Sequence, residues 1–126
     1  RLPKLSTRGR ERVCELLHDP VADVRAAACY AVEKFAIQEV LPSFTKLLRD
    51  ESAEVQRAAI SASMSLKPDF HKQDVSELLN SSEPEVVQRA FFSLKERGLL
   101  AQEGLLNLIE STPHGTIRYF AAHEIE

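Results

Sequence analysis

A period of 31 residues constrains this chain more than any other feature. The leucine doublets Leu16-Leu17, Leu47-Leu48 and Leu78-Leu79 are spaced by 31, and Ile109 continues the row although Glu110 breaks its second position. Three more apolar columns keep the same step. They are Val24, Val55, Val86 and Ile117; Ala28, Ala59, Ala90 and Ala121; and Val13, Phe44, Val75 and Leu106. Each copy is too short to bury its own apolar face, so copies must stack in a line to build a shared core.

Inside a copy the apolar residues recur at intervals of three and four, as in Val24, Ala28, Ala31, Val32 and Phe35. That is the helical period and not the alternation of a strand. Each copy therefore reads as two helices. First helices are expected over 7–18, 39–49, 70–80 and 100–110, and second helices over 20–35, 53–66, 84–97 and 115–126. Asp19-Pro20 and Ser82-Glu83-Pro84-Glu85 read as helix starts, the latter as a capping box. Gly98 reads as a helix stop. The expected fold is an all-α superhelix of about four helix pairs, a single domain with units 7–36, 38–67, 69–98 and 100–126. Because the chain begins at Arg1 without methionine and ends at Glu126 inside an expected helix, it reads as a fragment of a longer protein.

The stretches LLHDPVADVRAAACYAV and EVLPSFTKLLRDESAEVQRAAISA resemble the short HEAT-like repeats of the phycobilisome-lyase type. Such units run as a Leu doublet, Asp-Pro, Val-Arg and an Ala-rich second helix. The third unit departs from the pattern, with Val87 where Arg25 stands in the first, and Ile117-Arg118 restores it in the fourth. Pro42 also fits, since these repeats often carry a proline early in the first helix. The period of 31 and the lack of tryptophan disfavour a tetratricopeptide repeat. The resemblance implies an architecture; a function is implied only by analogy.

Sixteen basic and 19 acidic residues leave a net charge of -3, which argues against a nucleic-acid partner. No apolar window approaches the roughly 18 to 20 residues of a membrane span, and no signal peptide is apparent, so a cytoplasmic setting is expected. Cys14 and Cys29 lie in apolar helical stretches and read as reduced, buried thiols. His18, His71 and His114 fall at different phases of the repeat and read as solvated surface groups. Ser61, Ser63 and Ser65 read as small helix-face residues. His123-Glu124 invites comparison with deoxyhypusine hydroxylases, HEAT-like enzymes that bind iron through His-Glu pairs. Only one pair is present, and it lies five residues after Arg118 instead of directly after it. No catalytic residue, metal site or cofactor is expected. Arg25, Gln56, Val87 and Arg118 form a column read as a strut between repeats, reaching loop carbonyls or an acid such as Asp19 or Asp50.

With Val24, Ala28, Ala31 and Val32 assigned inward, three second-helix columns remain free. They are Tyr30, Ser61, Phe92 and His123; Ala27, Ala58, Arg89 and Phe120; and Ala26, Arg57, Gln88 and Tyr119. These columns are expected to line the concave side. Tyr30, Arg57, Arg89, Phe92, Tyr119, Phe120 and His123 are accordingly the candidate site for a protein or peptide partner, an aromatic and arginine mixture enriched at interfaces. The functional expectation is an interaction or scaffolding module. The alternative is a subunit or fragment of a bilin-lyase-like, chromophore-handling enzyme. The oligomeric state is open. Ile117, Ala121, Ala122 and Ile125 are expected to leave the C-terminal end apolar, to be covered by further repeats or another chain.

Overall fold

The computed structural model describes residues 5–67, 69 and 71–125; Phe70 and Glu126, the expected outer bounds of two helices, lie outside them. Every regular element among the described residues is helical, and the helices pair off in chain order as an all-α solenoid. The pairs are α1 (Thr7–Leu16) with α2 (Ala22–Phe35), α3 (Phe44–Leu47) with α4 (Ala53–Leu66), α5 (Lys72–Glu77) with α6 (Pro84–Glu96), and α7 (Gln102–Ser111) with α8 (Gly115–Glu124). The second helices stack on one another, α2 on α4, α4 on α6 and α6 on α8.

The middle two first helices are shorter than the periodicity predicts. A 3-10 helix over Gln38–Ser43 precedes α3 and carries Pro42, whose missing N–H removes a donor from the helical ladder. A second 3-10 turn, Leu78–Asn80, follows α5.

Helix starts differ from expectation in an instructive way. The α2 helix begins at Ala22, not at Pro20, and Asp19 Oδ1 instead accepts from the Val21 amide at 2.8 Å. Asp50 does the same for Ser52 at 2.9 Å, Ser81 for Glu83 at 3.1 Å and Thr112 for His114 at 3.2 Å. Each is a side-chain turn closed two residues on. Asp, Asp, Ser and Thr thus form one more column of the repeat, holding the chain extended just before each second helix. The capping box expected at Ser82 is absent, since Glu83 occupies the N-cap without a side-chain bond and Pro84 follows in the first turn. Gly98 ends α6 as expected, at φ +68°, with Leu99 N–H on Leu94 O and Gly98 N–H on Lys95 O. Ala36 ends α2 by the same bonding at φ +53°, without glycine's freedom.

The inward columns are largely buried. Ala28, Ala59, Ala90 and Ala121 are all at most 3% exposed, as are Val55, Val86 and Ile117. Leu106 breaks its column at 51% exposure. The α7 helix has turned by about one residue, so Leu105, Leu108 and Thr112 face inward at helical spacing instead. Ile117 and Ala121 are buried by the chain itself, which removes two of the four residues expected to leave that end apolar; Ala122 is exposed and Ile125 partly so.

Two histidine and cysteine expectations need correction. His71 is 1% exposed, with Nε2 at 2.7 Å from the Leu41 carbonyl and Nδ1 at 3.1 Å from Asp74 Oδ2, so it ties the second unit to the third. From the N-cap of α5 the ring reaches the 3-10 helix of the preceding unit, a placement that phase counting does not give. Cys29 is buried, and burial pushes its thiol up to about 12, while Cys14 is only half-buried. No disulfide links them.

Candidate functional site

The second-helix layer positions the candidate residues. The α4 helix is sandwiched between α2 and α6, so it buries Val55, Ala58, Ala59, Ile60, Ala62, Ser63 and Met64 around most of its circumference. A helix with neighbours on both sides has little free surface. Hence Ala58 is fully buried and Ala26 is 4% exposed, although both belong to columns expected to be free; Ala31, expected inward, is half-exposed. The three columns do not behave as one open surface in the first two units.

Between α4 and α6 the layer opens into a groove of about 400 Å³ lined by Arg57, Ser61, Met64 and Ser65 of α4 and by Glu85, Gln88, Arg89, Phe92, Ser93, Glu96 and Arg97 of α6 and its C-terminal end. Three of the seven candidates, Arg57, Arg89 and Phe92, thus meet in one place. Phe92 continues the groove as an aromatic row. Its ring lies 5.1 Å from that of Phe120, Phe120 lies 5.6 Å from Tyr119, and Tyr119 lies 4.5 Å from His123, each pair edge to face. Phe92 and Phe120 are half-buried, whereas Tyr119 is 61% exposed and His123 also faces outward. Tyr30, 46% exposed on α2, is apart from this row and from the groove lining.

Electrostatics differ sharply among the groove's three guanidinium groups. Arg57 donates to Glu54 at 3.0 Å, and its Nε, 3.9 Å from Glu85, is a buried nitrogen without a hydrogen-bond partner among the described residues. Arg97 donates from Nε to the Met64 carbonyl at 2.7 Å and has Glu96 at 3.6 Å. Arg89 is exposed and has no hydrogen bond or ion pair among the described residues. Lys95 stands 5.9 Å from the Phe92 ring centroid and pairs with Glu124 at 2.9 Å, joining α6 to α8. Ser61 and Ser65 both donate to Glu33 of α2 at 2.8 Å, which makes them ties between helices. Ser63 is buried on the Ile60 carbonyl.

A family model described as HEAT repeats matches residues 11–95, two thirds of the chain. The chain belongs to the HEAT-repeat family. No curated protein matches it. HEAT repeats commonly mediate protein–protein interaction or scaffolding, and the family is generally non-catalytic. The match takes in Arg57, Arg89 and Phe92 and stops before α8.

In this HEAT-repeat frame the residue-25 column serves architecture. Arg25 holds Asp50 through Nε at 2.9 Å and Nη2 at 3.0 Å, and Nη1 donates to the carbonyls of Asp19 and Pro20. Gln56 donates to Leu48 O at 3.0 Å and Arg118 to Thr112 O at 2.9 Å. Each reaches back to the loop before its own helix, and Arg25 also reaches forward into the next unit. Val87 has no such group and is simply buried.

Among the described residues no group of three or more His, Cys, Asp or Glu side chains converges as a metal site, and no helix is long and apolar enough to cross a membrane. His123 and Glu124 are drawn to different partners, Tyr119 and Lys95. Gln88 falls in a column expected to line the concave side, although it is not among the candidate residues, whereas the columns do not reach Ser93 and Arg97. Ser93 is a half-buried polar residue of α6, and Arg97 follows the last turn of that helix, where reach and not phase decides what it touches.

Proposed function

We propose that this chain is a protein-binding scaffold of the short, phycobilisome-lyase type of HEAT repeat, acting in the cytoplasm, and that it engages its partner on the α4–α6–α8 surface. The reading rests above all on one observation: Arg89, without a hydrogen-bond or ion-pair partner among the described residues, stands beside the half-buried Phe92 in an open groove between stacked helices. Arginine and aromatic side chains at a concave, partly desolvated position are the groups that anchor protein partners. Arg57 completes the groove, and Phe120, Tyr119 and His123 extend the contact surface onto α8. Tyr30 stands outside this surface.

The test is comparative affinity capture with the wild-type chain and an Arg89→Ala/Phe92→Ala double variant as baits. The expected result is a set of proteins retained by the wild type and lost by the variant, whose helicity and melting stay near wild type. Identical captured sets would remove the groove from the binding surface.

A further inference from the structure

We propose, resting on the binding reading above, that the α4–α6 groove takes an extended acidic peptide, pairing an Asp or Glu carboxylate with Arg89 and seating a neighbouring apolar side chain on Phe92. Charge complementarity selects this occupant. The two carboxylates at the groove are already engaged, Glu85 by Arg57 at 3.9 Å and Glu96 by Arg97 at 3.6 Å. The groove's one charge without a counterpart among the described residues is therefore the Arg89 guanidinium, which presents planar donors matched to a carboxylate.

The remaining lining fits a peptide backbone. An extended chain brings N–H and C=O groups that must find partners when water is displaced. Gln88 and Ser93, both without intramolecular hydrogen bonds among the described residues, offer donors and acceptors on the same wall. Phe92, half-buried and packed edge to face with Phe120, provides an apolar seat beside the charge. A nucleic-acid strand fits less well. Its affinity comes from neutralising several successive phosphates, and the groove offers one guanidinium without a counterpart among the described residues.

The experiment is selection from a phage-displayed random heptapeptide library with the wild-type chain, the Arg89→Glu variant and the Phe92→Leu variant. Binding of the selected synthetic peptide is then followed by fluorescence anisotropy at low and high salt. The wild type should enrich peptides with Asp or Glu one or two positions from an aliphatic or aromatic residue, bound more weakly as salt rises. Arg89→Glu, at an exposed position, should weaken that peptide by roughly tenfold or more, the worth of one hydrogen-bonded charge pair, and enrich Lys or Arg in place of the acid. Peptides that depend on Phe92 but show no acidic preference and bind Arg89→Glu equally would overturn the acidic ligand while leaving the binding surface standing. Selection of no peptide, or only of peptides indifferent to both substitutions, would refute surface and ligand together. A fluorescein-labelled oligothymidylate that binds more tightly than the selected peptide, and loses affinity in Arg89→Glu, would overturn the peptide in favour of nucleic acid.

Discussion

Ala59→Leu tests whether the alanine column sets the spacing of the stack. Ala59 is fully buried on α4, the helix covered on both sides, and Val55, Ala58, Ile60 and Ala62 around it are also 0% exposed. Leucine adds three carbons. Given room, they would bring roughly 0.8 kcal/mol of favourable transfer apiece. An interior packed to crystal density offers no such room, so α2 or α6 must move or the side chain must leave its rotamer. Overpacking of this kind costs about 1 to 3 kcal/mol, which in a chain of this size lowers the melting temperature by roughly 4 to 12 °C. Urea titration followed by far-UV circular dichroism reads the change as a shift in midpoint at unchanged slope. Ala27→Leu is the control, because Ala27 is exposed on α2 and should tolerate the same substitution within about 0.5 kcal/mol. Equal midpoints for the two variants would show that Ala59 does not govern helix approach and that the column is fortuitous.

Two further substitutions probe the junctions. Ala36→Gly should raise stability by about 0.5 to 1 kcal/mol, because a left-handed φ of +53° strains alanine more than folding costs glycine in chain entropy; the reverse change at φ +68°, Gly98→Ala, should lower it by about 1 kcal/mol, both read by the same titration. At Asp74, burial alone would push the carboxyl up, but hydrogen bonds from His71 and Arg49 outweigh it and hold the group below the ordinary aspartate value. Its contribution to stability is therefore present above the unfolded value near pH 4 and is lost as pH falls through the lower folded one. Asp74→Asn should flatten the acid limb of a stability–pH profile, and a variant with an unaltered acid limb would show that the His71–Asp74–Arg49 contacts carry no net energy.

The architecture was legible because burial in a solenoid repeats with the chain. A column that reads Ala, Ala, Ala, Ala or Val, Val, Val, Ile states its own environment four times, and the second helices fell within two residues of their expected bounds. The errors arise where one unit's geometry differs from its neighbours'. Leu106 is exposed because α7 has turned by a residue, which no spacing signals. His71 is buried against the 3-10 helix of the preceding unit, a contact at a separation of 30 residues that phase within a helix cannot express. The turn column of Asp19, Asp50, Ser81 and Thr112 was in plain view as a chemical repeat. Mixing Asp, Ser and Thr, it carries none of the apolar signal by which the other columns stand out. For the candidate site, helix phase grouped Arg57, Arg89 and Phe92, which line one groove. It also misassigned Ala26 and Ala58, because phase identifies which way a residue points and not whether another helix lies there.

The repeat's own departures point to the same surface as its geometry. In the first two units, four of the six residues in the three outer columns are small: Ala26, Ala27, Ala58 and Ser61. In the last two units the same positions hold Gln88, Arg89, Phe92, Tyr119, Phe120 and His123, with no small residue among them. Size at these positions governs how closely second helices pack. Buried Ala26 and Ala58 belong to helices that stack tightly, and Ser61 and Ser65 close the remaining gap by bonding Glu33 across it. Where arginine and phenylalanine replace them, the same layer cannot close to that distance, and the α4–α6 groove and the Phe92–Phe120 contact result. Stability alone would favour repeating the small residue that already works. The proposed binding surface therefore falls in the consecutive units where the fold departs from its own small-residue packing rule.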